Sequence, residues 1–210
     1  YVWENEAYIL EQGTCLQPLM SNVLCVVSQH QARLAAHMGL GEAVRVVGLP
    51  RLDAAARCIP EAGARSGRIL VTTANTWSLN DAHAESVRAA IADLVEYFSR
   101  TGSPPVAWRI APELAQEHGL ELDSASSIEL AMSESSAVIS LVSTVVLESM
   151  AAGLPTCIMD YRQEPLWLQS AWQIRGPRDI EPVVRQMLDP SREKLAYQAM
   201  CLEDELAPPG

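Results

Sequence analysis

The chain has 210 residues, 49% of them hydrophobic and 5% aromatic, which suits one buried globular core with some chain to spare and leaves little room for two full domains. Its 26 acidic residues outnumber 15 basic ones, for a formal net charge of -11, a balance that argues against nucleic acid and anionic membrane surfaces as partners. A small diphosphate stays within reach, because a few backbone N–H groups and one arginine can hold it locally.

The five cysteines, Cys15, Cys25, Cys58, Cys157 and Cys201, are odd in number and lack CxxC spacing or clustered histidines. They read as buried thiols of a cytoplasmic protein with no metal site. His30 and His37 fall on roughly one face of a helix, but no carboxylate or cysteine recurs beside them in the sequence. The weakly polar stretch 137–147 is too short to span a bilayer, and the acidic start is no signal peptide.

In chain order, periodicity predicts a polar helix over 2–12, a strand over 23–27, a helix over 28–38 capped by Ser28, and a strand over 44–47. The aperiodic run 57–68 reads as a surface linker. The expected division is therefore 1–60, the end of an N-terminal domain with its linker, and 61–210, a nucleotide-binding domain. From Arg68 the pattern alternates regularly: strand 68–74, helix 81–100, strand 105–110, helix 112–117, strand 120–123, helix 126–132. It continues with strand 136–142, helix 144–152, strand 155–160, a sixth strand near 171–174, and helices from Asp179 and Ser191. Apolar strands separated by helices predict an α/β fold, a Rossmann-like doubly wound parallel sheet. The GxGxxG fingerprint is absent from the first strand–helix turn, VTTANTWSL, which excludes a dinucleotide cofactor of the usual kind. Ligands of such sheets bind beyond the carboxyl ends of the strands, so the turns after Thr73, Ile110, Asp123, Leu141 and Asp160 are where a site belongs.

The most informative segment is SAVISLVSTVVLESMAAGLPTCIMD, 136–160. Ser143 is placed to cap a helix opening at Thr144, whose N–H groups and positive dipole end suit phosphate oxygens. Glu148, four residues on and on the same face as Thr144, suits the vicinal hydroxyls of a ribose. In an arbitrary α/β protein the same residues would be an ordinary cap and a solvated helix residue. A second segment, VVGLPRLD, 46–53, has a proline-fixed turn with Asp53 as a cap. Its Arg51 either reaches a phosphate with its planar fork or pairs with Asp53.

These two segments resemble the GT-B glycosyltransferases and their relatives, the glycerophosphotransferases of teichoic-acid synthesis, capsular polysaccharide transferases and non-hydrolysing sugar-nucleotide 2-epimerases. Ser143, Thr144, Glu148, Gly153 and Pro155 match the donor-binding turn, helix and Gly-x-Pro of that group. The Gly-x-Pro-Arg-x-Asp run, 48–53, matches the turn joining its two domains. A second acid eight residues before the helix glutamate, carried by many retaining members, is replaced by Ser140, so the stereochemical outcome is not inherited.

The resemblance implies a C-terminal, donor-binding half: a nucleotide-activated sugar or polyol as substrate, no separate cofactor, and a polysaccharide acceptor held by an N-terminal domain that this chain lacks. Arg109, ending an apolar strand, either faces the donor phosphates or pairs with an acid such as Glu113. Thr72, Thr73, Asn75 and Thr76 stand where the pyrophosphate passes, and the loop 123–127 where the base is held. Trp77, Trp167 and Trp172 could stack on a base or belong to packing. Two rivals stand beside this reading: a 2-epimerase of the same fold, and a Rossmann-like interaction module without a ligand.

Overall fold

The computed structural model describes residues 21–49, 52, 66–74, 80–141, 143–162 and 168–206. It opens with β1 (Leu24–Val26), α1 (Gln29–His37), a short 3-10 turn (Gly41–Ala43) and β2 (Val44–Val46). β1 and β2 pair in parallel as a two-stranded sheet. The side chain of Ser28 caps α1 by accepting from the Gln31 N–H, as the sequence pattern predicts.

A second unit is built from β3 (Ile69–Thr72), α2 (Asp81–Phe98), β4 (Val106–Arg109), α3 (Pro112–His118), α4 (Ile128–Ser133), β5 (Ala137–Ser140), α5 (Thr144–Ala151), β6 (Thr156–Met159), β7 (Trp172–Ile174), α6 (Pro177–Leu188) and α7 (Arg192–Glu205). Five of these strands form a sheet in the order β4-β3-β5-β6-β7, all pairs parallel. The chain leaves β3 for β4 on one side and then returns to β5 on the other. The strand order therefore reverses between β3 and β5, where such sheets open a crevice.

Strand residues are buried on both faces, which is why the runs ILVT and AVIS read as continuous rather than alternating. On one face, Ile69, Val71, Ile139 and Met159 pack against Val87, Ile91 and Leu94 of α2, Leu114 of α3 and Val184 of α6. On the other, Leu70 and Val138 meet Ala131 and Met132 of α4, while Ile158 meets Val146, Leu147 and Met150 of α5. Each fully buried Ile or Leu here contributes roughly 2 kcal/mol, so Ile91→Ala is a change that would open the α2 face. α5 ends at Gly153, whose φ of +69° is a conformation that glycine takes without strain.

Two expectations need correction. The stretch 120–123 is not a strand; it contributes one isolated bridge, Leu122 to Trp108, because the loop is held by side chains instead of a ladder. Cys25 is exposed, since the residues of β1 alternate between the packed face and solvent, and among the described cysteines only Cys157 is fully buried. Of the two alternatives for Trp172 the structure takes packing: it lies in the core at 1% exposure. The helix expected over 2–12, residues 57–65 of the expected linker, and Cys15, Cys58, Trp77 and Trp167 lie outside the described residues. No described helix is long and apolar enough to cross a membrane.

Candidate donor-binding crevice

At the carboxyl end of the sheet, β3 and β5 present Thr72 and Ser140 to each other in register. Both are buried hydroxyls in otherwise apolar strands. Thr72 Oγ1 donates to Ser140 Oγ at 2.8 Å, Ser140 Oγ donates to the Leu141 carbonyl at 2.7 Å, and Ser143 Oγ lies 3.2 Å from Ser140 Oγ. Ser143 is indeed the N-cap residue of α5, in extended conformation, but its side chain makes no capping hydrogen bond. Its hydroxyl is turned towards Ser140 instead. The first turn of α5 carries no acidic residue, and Ser143, Thr144 and Val145 are half-buried while the following five residues are buried. The positive end of the helix thus faces the crevice with no carboxylate of its own to compete for it.

Glu148 departs from the solvated alternative: at 8% exposure it is buried, one turn inside α5. Around the same helix, Leu52 of the Gly-Leu-Pro-Arg-Leu-Asp run is buried with Val146, Leu147 and Met150, and Leu49 packs against them. The sequence segment that matched the domain-joining turn therefore touches the helix that matched the donor helix. Gly48, with φ of +69°, makes the turn into it.

Arg109 turns to the loop after α3. Its Nη1 donates to the Ala125 carbonyl at 2.9 Å and lies 3.6 Å from the Asp123 carboxylate. That carboxylate also pairs with Arg68, which in turn reaches Glu134 at 3.2 Å. The partner of Arg109 is thus Asp123, not Glu113, and the arginine holds the 123–127 loop from β4. Thr73 accepts from the Ala111 N–H at 2.9 Å, fastening the ends of β3 and β4 together. Asn75, Thr76, Pro50, Arg51 and Asp53 lie outside the described residues.

The structure thus brings together Thr72, Ser140 and Ser143 at the switch point, with Thr144 and Glu148 following on α5 and with Thr73 and Arg109 at the ends of β3 and β4. Sequence reasoning missed the Arg68–Asp123 pair and the role of Ser140. The available signal was a lone hydroxyl in a buried strand, which needs a partner. It also missed that α7 carries Asp204 and Glu205 to His30, the three ligating groups lying within 4.8 Å of one another. Arg33 already pairs with Asp204 at 2.9 Å, so this cluster reads as charge stitching between α1 and α7.

No protein-family model matches the chain, and no curated protein matches it significantly. Solved structures do. The wall teichoic acid polymerase TagF, in a variant form, superposes with a TM-score of 0.55 at 11% identity, covering 89% of this chain and 54% of that one. The UDP-GlcNAc 2-epimerase of Methanocaldococcus jannaschii, in complex with UDP-GlcNAc and UDP, superposes with a TM-score of 0.62 at 11% identity, covering 87% of this chain and 59% of that one. The chain has the Rossmann-like fold of a GT-B domain. It spans little more than half the length of these two GT-B proteins, and identity this low carries the fold and not the activity.

Proposed function

We propose that the chain binds the nucleotide-activated donor of a glycosyltransferase that builds a surface polysaccharide, as the donor half of a two-domain cytoplasmic enzyme. In this reading residues 1–60 close the N-terminal domain, residues 61–210 form the donor domain, and the acceptor is held by the remainder of the N-terminal domain. The observation that carries it is the N-terminus of α5, without a side-chain cap, at the point where the strand order reverses. The diphosphate would lie on the N–H groups at Thr144 and Val145 with Ser143 beside it, and Glu148 would take the ribose hydroxyls. Arg109 would act by holding the 123–127 loop against the base, and Asn75 and Arg51 would complete the phosphate contacts. Both superposed structures belong to proteins named for nucleotide-sugar or teichoic-acid chemistry, which supports the class without choosing the donor.

Transfer would then rest on positioning and on stabilising charge that develops on the departing diphosphate, with the helix N-terminus as the electrostatic element. The isolated chain is expected to bind without turning over. The test is a thermal-shift titration with UDP, CDP, GDP and ADP on the unaltered chain and on Glu148→Ala. A ligand that binds only the folded state adds about 2.7 kcal/mol at 100 times its Kd. Stabilisation by one or more diphosphates that Glu148→Ala diminishes is the expected result; four nucleotides without effect at millimolar concentration would overturn it.

A further inference from the structure

The three hydroxyls at the switch point have a proton inventory that decides how Ser143 can meet an anion. Each hydroxyl owns one proton and two lone pairs. The Thr72 proton goes to Ser140 Oγ, and the Ser140 proton goes to the Leu141 carbonyl. With the Ser140 proton spent, the 3.2 Å contact between Ser140 and Ser143 has Ser143 as its donor. Ser143 therefore points its proton inward and its lone pairs outward, the wrong way round for a phosphate oxygen, which accepts and does not donate.

We propose that Ser140 is a positioning residue, the middle of a reversible hydroxyl relay that turns the Ser143 proton outward when the diphosphate binds. The inference rests on the donor-binding reading above. When the anion arrives, Ser143 releases Ser140 and donates to the anion. The Ser140 proton swings from the Leu141 carbonyl to Ser143 Oγ, and Thr72 continues to donate to Ser140. Every hydrogen bond then runs in one direction, from Thr72 through Ser140 and Ser143 to the anion, and polarises the next. No bond between heavy atoms forms or breaks and no proton leaves its oxygen; the hydroxyls only rotate. The position that carries an acid in many retaining relatives carries here a group that acts through its neighbour.

Two features favour a built device over incidental packing. Thr72 and Ser140 are 1% and 0% exposed, so neither hydroxyl has solvent to fall back on. The strands hold them in register as direct neighbours, so the relay is aligned without the ligand.

The experiment is a double-mutant cycle on affinity, with inorganic pyrophosphate, UDP and CDP as probes, measured by isothermal titration on the unaltered chain, Ser140→Ala, Ser143→Ala and the double variant. Ser140→Ala is expected to weaken binding about five- to tenfold in the unaltered background, the scale of one ordinary hydrogen bond, and to have no further effect once Ser143 is alanine. A merely structural serine would weaken both backgrounds alike, and that result overturns the relay while leaving the anion site standing, as does Ser140→Ala binding at full strength. No binding of any probe by the unaltered chain overturns the donor reading and the relay with it. Should Ser140→Ala fold poorly, Thr72→Val, isosteric and one step further back, is expected to show the same dependence on Ser143, and equal losses in both backgrounds would again refute it.

Discussion

Arg109, at the end of β4, and Asp123, in the loop after α3, face each other at 3.6 Å, and Arg68 closes on the same carboxylate from the start of β3. The Asp123 side chain is 7% exposed, while its partners keep about a quarter to a third of their side-chain surface in solvent. A buried acid with two half-wet arginines is worth more than a surface pair and less than a dry one. Asp123→Asn is expected to lower stability by about 1–3 kcal/mol, read from urea unfolding, and to loosen the 123–127 loop, read as faster amide exchange there. An unchanged urea midpoint would show that the clamp contributes nothing.

Gln198 on α7 makes a different kind of fastening. Its side-chain oxygen accepts from the Thr156 N–H at 2.8 Å and its amide nitrogen donates to the Leu154 carbonyl at 2.9 Å, both within the core. Gln198→Leu would leave the N–H of Thr156 buried without a partner, which costs about 1–3 kcal/mol. The expected loss is in that range, with α7 detaching first in amide exchange. The exposed pair Arg33–Asp204 supplies the contrast: Arg33→Ala is expected to change stability by less than about 1 kcal/mol.

Cys157 stays protonated in the folded chain because burial pushes its thiol well above the ordinary range. In the unfolded chain the thiol loses its proton above about pH 8.5. The folded state therefore binds more protons in alkaline solution, and this contribution to stability is complete below about pH 8.5 and falls as pH rises, by about 1.4 kcal/mol per unit at most. Between pH 8.5 and 10 the unaltered chain is expected to lose about 1–2 kcal/mol more than Cys157→Ala does. Equal slopes would contradict it. In a thiol-labelling assay of the native chain, exposed Cys25 is expected to react within the labelling time and Cys157 to resist.

Much of the fold was legible because buried strands and capped helices announce themselves locally. ILVT and AVIS are apolar without alternation, and Ser28, Asn80 and Ser191 each accept from an N–H of the following first turn. The strand order, with its reversal between β3 and β5, is seen only in the structure. What stayed hidden depends on contacts distant in sequence. Ser143 has the residue type of a cap, but Ser140, held by Thr72 from another strand, draws its hydroxyl away. Arg109 has an acid four residues on at Glu113, yet its partner comes from fourteen residues on, once α3 has turned the chain back. The meeting of His30 with Asp204 and Glu205 joins the two ends of the chain and has no local trace.

The central claim is that a diphosphate lies on the N-terminus of α5, between β3 and β5. The most direct measurement is an amide chemical-shift titration by NMR with UDP, CDP, GDP and ADP. The account predicts that at least one nucleotide moves the amides of Ser143, Thr144 and Val145, with Leu141 and Ser140 following. If these amides stay still while the shifts gather at the 340 Å³ groove between α2 and α6, lined by Arg100, Glu181 and Arg185, or if no amide moves at all, the donor-binding account is contradicted.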